Sequence, residues 1–275
     1  MYNIKAKFTF GCIFSFVVFG LILVGQSDAL KDPDSVLGAW FLDGDANDSS
    51  GNDYHGELTG APEWIAGKFG MAAGLPGDGD TIQITGFGTV MPTEEITIIS
   101  WARIDKIRNQ DFFSFEPLHV GDQGRVTTHM PWDNKVHWQF GTPFTGIFPT
   151  ADVSIDDSAV GEWNHWAFIH SVAGKYMAVY KNGEEVLNQQ AFKAFIPGEA
   201  NFHIGGRLGT HADEHISFAG AIDDFAIFSA VLDGEEINAL MNDGIMAHIA
   251  GGNGGIAVEP SGKAATKWAN LKVLK

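Results

Sequence analysis

The sequence is built largely from short stretches in which apolar and polar residues alternate, and this pattern predicts β-strands. Residues 81–87 (TIQITGF) alternate in this way. Residues 96–104 (ITIISWARI) do so with both faces partly apolar, as expected for a strand buried between two layers. Asn182-Gly183, within residues 175–189, is a strong hairpin signal because both turn residues must tolerate positive φ. About a dozen such stretches predict an all-β sandwich.

One segment has a helical period instead. Residues 232–244 read LDGEEINALMNDG, with Asp233 as N-cap and Glu236 three residues later, which is the spacing of a capping box. An apolar stripe follows, and Gly244 can end the helix. The sequence therefore predicts one short C-terminal helix on the sandwich.

The two ends of the chain differ in character from its middle. Residues 1–29 have a basic start, an apolar run and a small-x-small ending, the plan of a secretory signal peptide. An uncleaved membrane anchor is the alternative, because the run reaches the spanning length of about 18 residues. The chain is thus divided into a signal peptide (1–29), a folded domain (35–247) and a Gly-rich linker with a basic tail (248–275). It is expected to be secreted or held at the cell surface or in the periplasm, without a membrane span after signal cleavage.

Charge and cysteine content restrict the partners. The chain has 17 Lys and Arg against 34 Asp and Glu, a net charge of −17. This balance argues against nucleic acid, which needs basic patches, and against polyanionic glycans. It suits divalent cations and neutral sugars, although an acidic surface also simply keeps an exported protein soluble. The single cysteine, Cys12, lies in the signal segment, so no disulfide supports the mature chain.

Acidic and amide side chains are concentrated in residues 42–58 (LDGDANDSSGNDYHGEL). An EF-hand loop starting at Asp43 would need glycine at its sixth position and glutamate at its twelfth, where Asp48 and Tyr54 stand. Calcium also binds irregular loops that supply about six to eight oxygen ligands. Two interpretations therefore remain open, a calcium site of another type and a polar turn held by its own hydrogen bonds.

Signals for catalysis are weak. A glycosidase needs two carboxylates about 5–9 Å apart across the scissile bond, and the sequence has no strand with suitably spaced acids. A polysaccharide lyase needs a neutralising Arg or Gln and a His/Tyr pair, for which His137, Gln139 and either Arg125 or Arg207 are a set that lacks the tyrosine. The chain is predicted not to be an enzyme, with a lyase or glycosidase as the remote alternative.

Binding of a sugar needs exposed aromatic rings beside polar groups, because sugars stack on rings while polar groups bond their hydroxyls. Trp132, in a predicted turn, is the best candidate, with Arg125, His129 and Asn134 as its polar neighbours. Trp138 is assigned mainly to the core. The predicted function is a non-catalytic carbohydrate-binding or adhesive module. A protein–protein interaction or surface-scaffold domain, with an extracellular protein as ligand, is the alternative.

Several phrases, taken in order, resemble the laminin-G-like, concanavalin-A-like jelly roll, specifically its bacterial LamG/pentraxin-like group. The phrases are LGAWFLDGD, NDSSGNDYHGEL, GKFGMAAGLPGDGDTIQI, ITIISWARI, GEWNHWAFIH, YKNGEEV and FAGAIDDFAIFSAVLDGEEI. The resemblance covers roughly residues 35–245 and implies a two-sheet antiparallel jelly roll. Asn164 and Leu75 depart from the pattern, and residues 108–159 are least family-like, so individual specificity is expected there.

The same resemblance implies a structural calcium ion between the opening loop and the closing strand. The implied ligands are Asp43, Asp45, Asp48, Asn52 and Asp223. Because the first and last strands are commonly neighbours in this jelly roll, the ion would hold the two ends of the domain together. Binding to the folded form alone would stabilise it by mass action.

Overall fold

The computed structural model describes residues 30–77, 79–115, 125–142, 150–191, 194, 198–207 and 216–249. The signal-peptide prediction and most of the predicted tail lie outside these residues. The last described helix extends to Ile249, and Leu30 is buried. The division of the chain at residues 35 and 247 stays a prediction.

The described residues form seventeen strands, two short α-helices and three single-turn 3-10 helices. An eight-stranded sheet contains β1 (Val36–Trp40), β3 (Glu63–Ala66), β4 (Met71–Leu75), β6 (Glu95–Ile104), β11 (Trp163–Ser171), β12 (Tyr176–Lys181), β13 (Glu184–Gln190) and β17 (Gly220–Phe228). A seven-stranded sheet contains β2 (Gly56–Thr59), β5 (Thr81–Ile84), β7 (Asp111–Phe115), β8 (Arg125–Trp132), β9 (Lys135–Thr142), β10 (Thr150–Ser154) and β14 (Phe202–Ile204). A small ribbon joins β15 (Gly206–Arg207) to β16 (Ile216–Ser217), and the helices are α1 (Gly234–Asp243) and α2 (Ile245–Ile249).

All pairings between these strands are antiparallel. The order in the larger sheet is β13-β12-β11-β6-β17-β4-β3, with β1 also paired to β17. The order in the smaller sheet is β10-β9-β8-β7-β14-β5-β2. The predicted two-sheet antiparallel sandwich is confirmed.

The main core lies between the two sheets and is rich in aromatic rings. Phe225 of β17 is fully buried and lies within 5.8–6.2 Å, between ring centroids, of Trp40, Phe112, Phe113 and Phe202. These partners come from β1, β7 and β14, so one side chain contacts both sheets. The predicted core residue Trp138 is also fully buried.

A second apolar cluster lies on the outer side of the eight-stranded sheet. There Ala226 and Phe228 of β17 pack with Ile237 and Leu240 of α1. The predicted capping box is present, since Asp233 accepts from the backbone N–H groups of Glu235 and Glu236. The predicted short C-terminal helix is α1, which ends at Gly244 (φ 80°), and the five-residue helix α2 follows it directly.

Two hairpin predictions are tested by the backbone. Asn182 (φ 51°) and Gly183 (φ 82°) form the turn between β12 and β13, as predicted. In the β8–β9 hairpin the turn residues are Asp133 and Asn134, with φ of 49° and 61°. Trp132 is therefore not a turn residue but the last residue of β8. The backbone pairing of β8 with β9 fixes its position.

The closing strand β17 changes partners along one of its edges. Gly220–Ile222 pair with β4, whereas Phe225–Phe228 pair with β1, while β6 lies along the opposite edge. The β6 register shifts between Asp223 and Ala226. The shift falls at Asp224 and Phe225, so both side chains of the preceding residue pair, Ile222 and Asp223, still follow the regular β6 register, and Ile222 and Phe225 both reach the main core.

Among the residues that the structure describes, no helix is long and apolar enough to span a membrane.

Phe225→Ala should lower the free energy of unfolding by about 3–5 kcal/mol, because it removes a ring from the centre of the core and leaves a cavity. Leu58, which is 45% exposed, provides the control, and Leu58→Ala should change stability by less than about 0.5 kcal/mol. Urea unfolding followed by fluorescence measures both. Equal effects of the two substitutions would contradict the central position of Phe225.

Candidate functional site

The acidic opening loop is held to β1 by one buried carboxylate. Asp48 Oδ1 accepts from the backbone N–H groups of Ala39 and Ser50, both at 2.9 Å. Its Oδ2 accepts from the Ser50 hydroxyl (2.9 Å) and from Tyr54 N–H (3.0 Å). Four hydrogen bonds therefore engage both oxygens within the loop and its neighbouring strand.

Two other predicted calcium ligands also bond locally. The Asn52 side-chain amide donates to the carbonyls of Val36 and Leu37, both at 3.1 Å. Asp45 is exposed, and its Oδ1 accepts from Asn47 N–H at 3.0 Å. This part of the stretch matches the polar-turn interpretation, in which Asx-type hydrogen bonds fix the loop.

The remaining two predicted ligands, Asp43 and Asp223, both lie beside the turn of residues 67–70. Asp43 Oδ1 accepts from Met71 N–H at 2.6 Å. Asp223 Oδ2 accepts from the N–H groups of Lys68 (2.6 Å) and Phe69 (2.8 Å). A Cβ at Gly70, whose φ is 79°, would lie 2.1 Å from Asp43 Oδ1, so only glycine permits this approach.

Asp223 is the electrostatically unusual member of this group. It is fully buried, and its Oδ1 has no hydrogen-bond partner. Burial, followed by the negative charges of Asp224 and Asp43, raises the pKa of Asp223 to about 8, against the lowering effect of its two backbone hydrogen bonds. The ionised carboxylate is costly here unless a proton or a cation compensates it.

The structure thus brings two of the five predicted calcium ligands to one turn and engages the others in loop hydrogen bonds. Within the described ranges, no three His, Cys, Asp or Glu side chains are grouped so that they could hold a metal ion. Any cation near Asp43 and Asp223 would need backbone oxygens or water as further ligands.

Three of the four predicted ligand-binding residues lie together at the end of the β8–β9 hairpin. The rings of His129 and Trp132 are 4.8 Å apart between centroids. Asn134 is exposed in the turn that follows, and Trp132 is half-buried. We call Asp111, His129, Trp132, Asn134 and His137 the hairpin cluster.

Asp111 and His137 were not among the predicted ligand-binding residues, and tertiary structure brings them into the cluster. Asp111 and His129 are cross-strand partners on β7 and β8, and His129 Nδ1 is hydrogen-bonded to Asp111 Oδ1. His137 is the partner of His129 on β9, and its Nε2 lies 3.1 Å from the carbonyl oxygen of Trp132. Burial and the neighbouring His129 lower the pKa of His137.

Arg125, the fourth predicted residue, lies at the other end of β8. Trp132 is seven positions further along the strand, a distance of about 23 Å. It is buried, and its Nη1 lies 3.4 Å from Gln139 Oε1. The structure does not bring Arg125 into the hairpin cluster.

A row of polar residues crosses the outer face of the seven-stranded sheet. Its cross-strand partners, in order, are Glu57, Gln83, His203, Ser114, Thr127 and Gln139. The alternation of apolar and polar residues within TIQI and FHI predicts that these strands have a polar face. The polar residues form a single row only because of the order of the strands in the sheet. Ser114, Thr127 and Gln139 are buried, whereas Glu57 at the sheet edge is exposed.

This architecture, a two-sheet antiparallel jelly roll with a polar outer face and an aromatic hairpin cluster, defines a lectin-like β-sandwich. The model of the Laminin_G_3 family, described as the concanavalin A-like lectin/glucanases superfamily, matches residues 76–238, more than half of the chain. The chain belongs to this family. Since the superfamily includes both lectins and glucanases, membership does not decide between binding and catalysis.

Solved structures with the same fold include several binding domains. Domain 4 of the extracellular arabinanase AbnA from Geobacillus stearothermophilus, in complex with arabinotriose, superposes with a TM-score of 0.60 at 21% identity, covering 75% of this chain and 98% of that domain. A botulinum neurotoxin type C structure, whose cell entry depends on two ganglioside molecules, gives 0.57 at 18% identity, covering 77% and 51% of the two chains.

The binding domain of botulinum neurotoxin DC in complex with rat synaptotagmin II gives a TM-score of 0.56 at 16% identity and covers 77% of this chain and 52% of that one. The chain thus spans about half the length of the neurotoxin domains. At these identities the similarity shows the shared fold. Comparison with curated protein sequences gives no match.

His165, on β11, should make the domain sensitive to acid. Burial lowers its pKa to about 3, so the unfolded chain takes up a proton first as the pH falls below about 6.5. Between about pH 7 and about pH 5 this residue alone should remove about 2 kcal/mol from the free energy of unfolding. Urea unfolding at both pH values measures the loss.

His165→Phe keeps an aromatic ring at the same place but cannot titrate. The difference between its stabilities at the two pH values should be smaller than that of the wild type by about 2 kcal/mol. An identical pH dependence in the two proteins would contradict a neutral, buried His165.

Proposed function

We propose that this protein is an exported, non-catalytic carbohydrate-binding module whose sugar site is the hairpin cluster. The observation that carries the proposal is the pairing of Trp132 with His129, a half-buried indole within 4.8 Å of an imidazole that is itself held by Asp111. An accessible ring beside fixed polar groups is the combination that sugar recognition requires.

Three members of the cluster would contact the sugar directly. Trp132 offers an apolar ring on which the carbon–hydrogen face of a sugar stacks. His129 and the exposed amide of Asn134 bond to hydroxyl groups. Because Trp132 ends β8 and Asn134 lies in a tight turn with positive φ, both are held by the hairpin backbone and lose little freedom on binding.

The charge of the chain favours a neutral sugar. The net charge of −17 repels polyanionic glycans over the whole surface. Arg125, which could recognise a carboxylate, lies at the far end of β8 and is buried beside Gln139. The arabinotriose complex of the arabinanase domain supports, by analogy of fold, the binding of a neutral oligosaccharide.

Trp132→Ala should weaken glycan binding by at least about tenfold, because it removes the stacking surface at the centre of the site. A neutral-glycan array identifies the ligand, and calorimetry with that ligand measures the change. Trp163→Ala is the matched control, since Trp163 is also a partly buried tryptophan but lies on the other sheet, where it pairs with Arg103.

Equal weakening by Trp132→Ala and Trp163→Ala would contradict the hairpin cluster as the sugar site. Absence of any glycan signal, together with specific binding of a purified extracellular protein, would support the interaction-domain alternative instead. The neurotoxin domain bound to synaptotagmin II illustrates that this fold is also used to bind a protein.

We further propose that calcium binds at the turn of residues 67–70 and stabilises the domain. Asp43 and Asp223 would hold it, since both carboxylates lie against this turn and Asp223 Oδ1 is a buried oxygen without a partner. Calcium accepts backbone carbonyls and water as its other ligands. Asp48 and Asn52 are better assigned to fixing the loop, because both oxygens of Asp48 and the amide nitrogen of Asn52 already bond to the loop or to β1.

Calcium at about 100 times its Kd should raise the apparent melting temperature by about 5–10 °C, since binding to the folded state alone contributes about 2.7 kcal/mol. A chelator should reverse the shift. Asp223→Asn should abolish the response, whereas Asp45→Asn, in the exposed part of the loop, should retain it. An unchanged melting temperature in saturating calcium would refute the ion site and leave the sugar proposal intact.

A further inference from the structure

We propose that His129 and His137 form a two-histidine site for a divalent transition metal ion such as Zn²⁺. The two residues are direct cross-strand partners on β8 and β9. Side chains at such positions project from the same face of the sheet, with Cβ atoms about 4.5–5.5 Å apart. Their ring centroids are 6.0 Å apart, so the two imidazoles are neighbours on this face of the sheet.

The hydrogen bonds behind the two rings are the main support for this proposal. His129 Nδ1 bonds to the carboxylate of Asp111, and His137 Nε2 bonds to the carbonyl oxygen of Trp132. A carboxylate and a carbonyl both accept hydrogen bonds, so each of these two nitrogens carries a ring proton. The nitrogens left to bind a metal ion are therefore His129 Nε2 and His137 Nδ1.

This arrangement is the one that metal-binding histidines show in proteins. A ligating imidazole almost always donates its second N–H to a carboxylate or to a backbone carbonyl, which fixes the tautomer and the ring orientation. Here both types of partner occur, one for each ring of a neighbouring pair. Two histidines that only contributed polar groups to the sheet face would not need the hydrogen bonds to Asp111 and to the Trp132 carbonyl.

The chemistry of the donors selects the ion. Imidazole nitrogens suit Zn²⁺, Cu²⁺ and Ni²⁺, whereas Ca²⁺ prefers oxygen ligands, so this site differs in kind from the one at Asp223. No third His, Cys, Asp or Glu completes a cluster in the described part of the chain. The other coordination positions are thus open to water or to oxygen atoms of a bound molecule.

Access and rigidity are consistent with this role. His137 is half-buried, whereas His129 is only 7% exposed and Asp111 is fully buried, so an ion would enter the site from the side of His137. Asp111 therefore acts as a positioning residue, which reaches the metal only through His129. Trp132, adjacent to both rings, limits how they can turn.

Calorimetric titration of the full chain with ZnCl₂, without any glycan, tests the proposal. The wild type should bind one equivalent that His129→Ala and His137→Ala each remove. Asp111→Asn should weaken binding about 10- to 100-fold, the usual effect of losing such a partner. His203→Gln, a histidine on the same sheet face but on β14, is the control and should bind like the wild type.

Absence of zinc binding by the wild type, or binding that survives both alanine substitutions, would overturn the site. If the substituted proteins do not fold, nitrogen NMR of the metal-free wild type decides between the tautomers. It should show the proton on Nδ1 of His129 and on Nε2 of His137, and the opposite pattern would overturn the proposal. The zinc titration contains no sugar, so a negative result in it would not contradict the glycan proposal. Likewise, a negative glycan-binding experiment would not contradict the zinc site.

Discussion

The change of partner along β17 is the constraint on which the rest of the structure depends. One edge of this strand pairs first with β4 and then with β1, and the break falls at Asp223 and the residue after it. The opposite edge is occupied throughout by β6. The larger sheet is therefore complete only when the first strand, β1, pairs with the last strand, β17. Along this edge of β17, a gap remains between the residues that pair with β4 and those that pair with β1.

The buried aspartates hold the segments around that gap. Asp223 binds the turn of residues 67–70, Asp224 accepts from Ile245 N–H at the start of α2 (3.2 Å), and Asp48 fastens the opening loop to β1. Backbone N–H groups that no strand can satisfy are thereby paired with carboxylates. The aspartates of these segments therefore stabilise the fold even without a bound ion, because a buried N–H group without a hydrogen-bond partner costs free energy.

The candidate binding surface is built on the other sheet and depends on its own cross-strand order. Asp111, His129 and His137 occupy three adjacent strands, so their side chains form one short row on the outer face. The aromatic core beneath the sheet fixes the register, since Val126, Phe113 and Trp138 from the same strands must point inward. Packing on one face thus determines the alignment of the polar groups on the other.

The sequence by itself determined the class of fold, the α1 capping box, the Asn182-Gly183 hairpin and the presence of Trp132 and His129 in one segment. These features depend on local periodicity, on capping and on the φ values that individual residues tolerate. Only the tertiary structure decided that Asp111 joins His129, that Arg125 lies at the far end of β8, and that Asp43 and Asp223 lie beside the same turn, apart from Asp48. Those relations depend on strand order and register, which are set by packing between residues far apart in the chain and leave no periodic signal within a single segment.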